Sequence, residues 1–390
     1  VARSIDFAHI DEETAYLDTA CRAPLPEPVL AALDAYHLEY AACGGRGKYA
    51  WARRVDEVVE DTRRAVLKDL RLSPRRYATS FTLNTTAGLN LLLQQLPIGR
   101  FDRVVTSHIE HNSVFLPTMT AAARLGVPRV VLERAPDGSL EIDGVDLTRA
   151  VVVVNAASNV DGRVLANAKE VAKAVHAAGG ILIVDAAQAM AHAVDAVAGL
   201  DADAVCYSAH KLYGASLGVV AARIDLLRSL QVSTIGGGMV ADVREDGFDL
   251  VLDDPASILE PGLQDWGGIA ALAAALPWRT RAMREGGAAL TARADRLYEA
   301  LAGMPGLRMV SEHRSTVIAV APEKQDAHRL AIFLSEAGVA ARSGYFCVHH
   351  ELKHRRALPP LLRFSLGLHT TDEDVDRTVD ALGRLMRGLR

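Results

Sequence analysis

The chain has 390 residues, half of them hydrophobic and 23 % charged, with a net charge of -5: enough for two or three domains around large cores, with no electrostatic case for nucleic acid or an anionic membrane. Cys21, Cys43, Cys206 and Cys347 contain no CxxC pair, so neither a disulfide framework nor a zinc site is indicated, and one reactive thiol stays open. The apolar stretches, such as 267–278, are too short to span a bilayer and the amino terminus lacks a secretory pattern, which makes the cytoplasm the expected location.

Residues 1–15 are polar and irregular, and Tyr16-Leu17-Asp18-Thr19-Ala20 is a short extended segment stopped by Arg22 and the prolines at 24, 26 and 28. A helix is expected over 28–42, ended by Gly44-Gly45. The basic, aromatic loop Gly45-Arg46-Gly47-Lys48-Tyr49-Ala50-Trp51 is either a rim for an anionic ligand or an exposed connector. Val55, Val58, Val59, Thr62, Val66 and Leu70 then recur at helical spacing.

A strand over 78–83 runs into Asn84-Thr85-Thr86-Ala87-Gly88-Leu89-Asn90 and an apolar helix to about 96. Free N–H groups, a positive helix end and two hydroxyls make an anion cradle; the plainer alternative is a cap by Thr85 or Thr86. Strand 103–107 ends in His108-Ile109-Glu110-His111-Asn112-Ser113, where an imidazole can lie flat on a bound ring or serve at the surface; no further ligands at helical spacing support a metal. The apolar strand 150–155 suits a parallel sheet buried on both faces and leads to Ser158-Asn159, whose amide is expected at the same crevice.

Helix 166–178 and strands 180–185 and 204–207 complete a βα alternation, hence a three-layer α/β domain. Asp185 closes one of these strands and Lys211 follows the other, where open α/β sheets place their ligands. Pyridoxal phosphate needs this pair, a lysine to hold its aldehyde as a Schiff base and an acid to keep its ring nitrogen protonated. Gln188, Ser208 and His210 surround it. Taken singly, each residue reads as a structural Asp or a solvated Lys.

Beyond Lys211 come a return strand over 217–222, the loop Gly236-Gly237-Gly238, an acidic irregular stretch over 242–254, an alanine-rich helix over 269–276 and a charged helix over 279–302. The domain limits follow as 1–15, a segment packing on the small domain; 16–278, a large cofactor domain; and 279–390, a small α/β domain with strands 307–310 and 316–320 and helices 327–336 and 372–389. Arg363 falls in the apolar strand 361–366, and a buried arginine requires an anion: a substrate carboxylate gripped by paired hydrogen bonds, or an internal Asp or Glu. Cys347 sits in a loop with Arg342, His349 and His350, cationic surroundings that suit a nucleophilic thiol, whereas most free cysteines are small buried hydrophobes.

These residues together resemble the class V, fold-type I pyridoxal phosphate enzymes, and within them the cysteine desulfurase and selenocysteine lyase group. The resemblance covers nearly the whole chain, through Tyr16-Leu17-Asp18-Thr19-Ala20, Thr85 to Asn90, Glu110-His111, Ser158-Asn159-Val160, Asp185-Ala186-Ala187-Gln188, Ser208-Ala209-His210-Lys211-Leu212-Tyr213-Gly214, Arg342-Ser343-Gly344 to Cys347, and Arg363-Phe364-Ser365-Leu366. It implies a mostly parallel seven-stranded sheet between helices with a smaller carboxyl-terminal α/β domain. It implies Lys211 as the Schiff-base lysine and proton acceptor, Asp185 on the ring nitrogen, and Gln188 and Asn159 near the phenolic oxygen. His111 would lie on the ring, and Thr86, Ala87, Ser208 and His210 would hold the phosphate. Arg363, with Arg342 and Asn159, would bind the substrate, and Cys347 would take its sulfur as a persulfide.

The implied reaction turns L-cysteine into L-alanine in a homodimer, with a sulfur-acceptor protein as a further partner. The alternative is another class V enzyme, a C–S lyase, selenocysteine lyase or epimerase, acting on a different amino acid without need of Cys347. Two departures stand out: Tyr345-Phe346 replace the His-His that precedes the cysteine in comparable desulfurases, with His349 or His350 as substitutes, and Leu263 stands where a threonine reaches the partner's phosphate.

Overall fold

The computed structural model describes residues 4–45, 47–251 and 253–388; Arg46, expected on the basic rim, lies outside them. An amino-terminal arm enters through the two-residue strand β1 (Ala15–Tyr16), and α1 (Glu27–Glu39) and α2 (Ala50–Asp69) follow. The large unit then alternates: β2 (Tyr77–Thr82), α3 (Thr85–Gln94), β3 (Arg103–Ser107), α4 (Asn112–Leu125), β4 (Arg129–Leu132), β5 (Ala150–Asn155), α5 (Ala168–Ala177), β6 (Ile181–Asp185), α6 (Ala189–His192), β7 (Ala204–Ser208), β8 (Gly218–Arg223) and α7 (Ile224–Ser229).

The seven strands β2 to β8 form one sheet in the order β2-β8-β7-β6-β5-β3-β4, and only β8 runs against its neighbours. Side chains alternate faces along a strand. On β5 and β6, accordingly, Val152, Val154, Leu182 and Val184 enter the core on one face, and Val151, Val153, Ile181 and Ile183 the core on the other. Burial on both faces explains why these strands are continuous apolar runs.

The parallel strands bring the polar residues after β2, β3, β5, β6 and β7 to one sheet edge, and β8 returns there at Gly218. A Cβ at Gly218 would stand 2.3 Å from Thr82 Oγ1 and 2.6 Å from Asn84 Cα, so only glycine lets the β2–α3 turn close over the sheet. Gly218→Val is expected to destabilise the protein by about 1–3 kcal/mol, read by urea unfolding.

Two expectations beyond Lys211 need correction. The acidic stretch is a hairpin, β9 (Val240–Arg244) and β10 (Gly247–Leu250), clasped by Arg244, whose guanidinium meets Asp249 at 2.8 and 3.0 Å. The two helices expected on either side of Pro277 are a single α8 (Trp266–Ala302), capped by Asp265, whose carboxylate accepts from Gly268 N at 2.8 Å. Proline removes a helical hydrogen bond. Here Ile269, Leu272 and Leu276 lie in the core of the large unit and Leu290, Leu297 and Leu301 in that of the small one, so burial at both ends carries the helix through.

The small unit comprises β11 (Leu307–Met309), β12 (Val317–Pro322), α9 (Ala327–Glu336), β13 (Val339–Ala340), β14 (Arg342–Gly344), β15 (Leu361–Ser365) and α10 (Asp372–Gly388), with the antiparallel sheet order β11-β12-β15-β14. β1 pairs in parallel with β13, and Thr19 Oγ1 donates to the carbonyl of Ser365 at 2.9 Å. The arm therefore stays on the small unit through Thr19, beyond the limit expected at residue 15. Among the described residues no helix is long and apolar enough to cross a membrane.

Candidate active site

A cavity of about 320 Å³ opens at the sheet edge where β2, β3, β5, β6 and β7 end, and Lys211, Asp185, His111, Asn159, Gln188, Ser208, His210, Thr86, Arg342, Cys347 and Arg363 all line it. Asp185 is the last residue of β6, and Lys211 lies on the single turn that follows β7. Asp185 is buried and Lys211 half-buried. Burial holds the Lys211 amine below the usual lysine range, with the Asp185 charge acting against that. Burial likewise pushes the Asp185 carboxyl up, countered by the N–H of Ala187, which donates to Oδ1 at 2.9 Å, and then by Lys211. The opposite charges thus limit each other's desolvation.

His111 starts α4. Its Nδ1 accepts from Ser113 N at 3.0 Å, which fixes the ring, and burial followed by the charges of Lys211 and Arg363 lowers its pKa to about 4. The imidazole is therefore neutral near pH 7. His210 is also lowered to about 4, burial being the largest cause, and its Nδ1 is a buried atom without a partner.

The α3 cap differs from both expected residues. Asn84 fills it, Oδ1 accepting from Ala87 N at 2.9 Å. Ala87, expected on the phosphate, does not line the cavity, and its N–H donates to Asn84. Ser208 and Thr86 remain, but each hydroxyl has a neighbour: Thr85 N donates to Ser208 Oγ at 2.9 Å, and Thr86 Oγ1 and Ser113 Oγ lie 2.6 Å apart. Thr85, one of the two expected cradle hydroxyls, lines the cavity too, and Asn84 and Ser113 are lining that sequence reasoning missed. The Thr-Thr pattern pointed to the turn without showing which hydroxyl turns inward.

Arg363, 2 % exposed, finds its anion inside the protein. Nη2 donates to Asp18 Oδ1 at 3.0 Å and Nη1 to the carbonyl of Asn159 at 2.9 Å, while Nε is buried without a partner. Arg342 also grips Asp18, donating from Nε and Nη2 to Oδ2 at 2.9 and 2.7 Å, and its Nη2 donates to Cys21 Sγ at 3.0 Å. So Arg342 faces Cys21 and Asp18 rather than forming the expected cationic flank of Cys347. The roles of Asp18 and Cys21 were not read from the sequence, although Tyr16-Leu17-Asp18 had stood out as a pattern.

The Cys347 loop is held in an unusual backbone. Phe346 and Cys347 both take positive φ, 49° and 59°, a region that costs about 1–2 kcal/mol per L-residue. Asn159 Nδ2 donates to the carbonyl of Phe346 at 2.7 Å, and Asn112 N to that of Cys347 at 2.7 Å, so the strain is tied down on both sides. The Asn159 amide thus also holds the loop, while the residue lines the cavity. Similarly, Gln188 Nε2 donates to the carbonyl of Ala20 at 2.8 Å. His349 and His350 do not line the cavity: His350 stacks between His108 and Phe115, and His349 Nδ1 lies 3.2 Å from Asn112 Nδ2. Neither stands in for the missing His-His.

Glu110, beside His111, braces the edge from within. Its carboxyl accepts from Ser107 Oγ at 2.5 Å and from Asn155 N and Nδ2 at 2.7 and 2.8 Å, and burial, the largest cause, raises its pKa to about 7. No metal-holding cluster occurs among the described residues. Since the folded protein favours the protonated acid, the stability tied to Glu110 is fully present below about pH 4.5 and lost as pH rises through about 7. Glu110→Gln is expected to remove that slope, on the order of 3 kcal/mol across the window; urea unfolding of both proteins at pH 5 and pH 8 checks it.

The aminotransferase class-V family pattern matches residues 15–378. The chain is 32 % identical to the cysteine desulfurase of Dickeya dadantii, over 96 % of this chain and 92 % of that one. It is 29 % identical to a probable cysteine desulfurase of Methanothermobacter thermautotrophicus, over 92 % of each. The crystal structure of the Escherichia coli cysteine desulfurase CsdA superposes with a TM-score of 0.86 at 27 % identity, covering 98 % of this chain and 97 % of that one. By the extent of that match, and with a strand-end lysine and carboxylate over a mixed seven-stranded sheet, the chain belongs to the aminotransferase class-V family, among its cysteine desulfurases.

Proposed function

We propose that the protein is a pyridoxal 5′-phosphate-dependent cysteine desulfurase that turns L-cysteine into L-alanine and takes the sulfur on Cys347. The observation that carries this is the convergence of half-buried Lys211, buried Asp185 and Cys347 on one cavity. The residues fit the cofactor. Lys211 would hold its aldehyde, Asp185 its ring nitrogen, and the uncharged ring of His111 its face. Thr85, Thr86, Ser208 and the unpartnered Nδ1 edge of His210, beside the positive end of α3, suit its phosphate. When bound, the cofactor supplies a carbonyl for the substrate amine and a ring that draws electrons from the α-carbon.

The chain's own groups do the rest. Once free, the Lys211 amine takes the α-proton; its desolvated setting keeps it neutral at lower pH than an exposed lysine's. Arg363 and Arg342 receive the substrate carboxylate, sharing with Asp18. The Cys347 sulfur anion attacks the substrate sulfur, forming an S–S bond as the C–S bond breaks. The strained loop presents this thiol on an exposed turn.

The same reading takes the enzyme as a cytoplasmic homodimer that passes sulfur to an acceptor protein. Leu263, 74 % exposed on the loop before α8, would then lie toward the partner. The test is purified protein with L-cysteine and a thiol reductant: alanine and sulfide should appear in equal amounts, and borohydride should bleach the cofactor's colour and fix it to the peptide carrying Lys211. A protein that is colourless, and stays so with added cofactor, would refute the proposal.

A further inference from the structure

Cys21 has no part in the chemistry above, yet it lines the same cavity as Cys347 and Lys211. The other two cysteines differ: Cys206 is sealed in the core, where burial pushes its thiol up, and Cys43 lies on the exposed loop before α2, away from this cavity. Cys21 is half-buried, and Arg342 Nη2 donates to its sulfur at 3.0 Å. Asp18, the shared partner of Arg342 and Arg363, neutralises only one of those two guanidinium charges. A sulfur at Cys21 is therefore met by a cation and has the counter-charge that an attacking sulfur anion requires. Lys211 also lies within electrostatic range of both thiols.

We propose that Cys21 is a second sulfur-carrying residue, which takes the sulfane sulfur from the Cys347 persulfide within one chain. This rests on the desulfurase reading above. The Cys21 sulfur anion attacks the outer sulfur of the Cys347 persulfide. An S–S bond forms on Cys21, the bond between that sulfur and Cys347 Sγ breaks, and its electron pair leaves on Cys347 Sγ. The proton given up by Cys21 is taken up by Cys347. One persulfide is exchanged for another, so no outside oxidant or reductant is needed. Cys347, on its exposed loop, is freed for a second turnover while the first sulfur waits on half-buried Cys21 beside Arg342.

The experiment loads the holoenzyme with excess 35S-labelled L-cysteine without reductant, alkylates it, maps label on the cysteine peptides by mass spectrometry, and measures alanine in the same samples. Label is expected on both Cys347 and Cys21 in the wild type and on neither Cys206 nor Cys43. Cys21→Ser should confine label to Cys347 and lower the sulfane sulfur per chain about twofold. Cys347→Ala should leave Cys21 unlabelled, and Arg342→Lys should shift label from Cys21 toward Cys347. Wild-type label on Cys347 alone, with alanine formed, would overturn the relay and leave the desulfurase reading standing. Label on Cys21 in Cys347→Ala would also overturn it, by making Cys21 a direct acceptor. Absence of alanine from the wild type would overturn the desulfurase reading and the relay with it.

Discussion

Lys211→Ala is expected to lower alanine formation from L-cysteine by about a thousandfold or more, since under the proposed mechanism it removes both the cofactor's covalent anchor and a general base, the latter alone supplying about 10²–10⁴. Lys211→Arg keeps a cation at the position but offers no amine, and should be as inactive. Neither variant should yield a cofactor-labelled peptide after borohydride. The wild-type rate should fall on the acid side, where the amine becomes protonated and cannot accept the α-proton. Because burial lowers the Lys211 pKa, that limb should lie below the range of an exposed lysine. A single-turnover pH profile of alanine release checks it, and a wild-type limb at the pH of an ordinary lysine would count against Lys211 as the base.

Cys347→Ala is expected to abolish persulfide at residue 347 and lower the alanine rate about a hundredfold or more, while the holoenzyme keeps its visible spectrum. The side chain is exposed and packs in no core, so its loss alone should change stability little. The backbone allows a sharper comparison. Cys347→Gly should be more stable than Cys347→Ala by about 1 kcal/mol, because glycine accepts a φ of 59° without penalty. Both variants lack the thiol and should be equally inactive, which separates loop strain from chemistry. Alanine formation indifferent to both substitutions would assign the reaction to a class V lyase that uses no protein thiol.

The α/β alternation and the strand-end positions of Asp185 and Lys211 were legible because they follow from local patterning. An apolar run such as Ala150–Asn155 can be buried only between two layers, and its first polar residues must then emerge at the sheet edge. Pro277 misled for the same reason: a local break signal is outweighed when tertiary burial on both sides stabilises the helix. Local patterning also did not show that a capping side chain, Asn84, takes the Ala87 N–H that the pattern alone left free.

The sequence by itself determined the sheet, the edge on which chemistry is possible and the residue types that single out the cofactor, since hydrophobic periodicity and strand ends are set within a few residues. What each polar group does there was decided only by the tertiary structure. Arg363 meets Asp18 across 345 positions and Arg342 meets Cys21 across 321, because the amino-terminal arm lies down on the small unit's β13 and β15. The physical reason is that a buried charge takes whichever opposite charge packing brings to it, and packing between distant segments leaves no mark in local spacing.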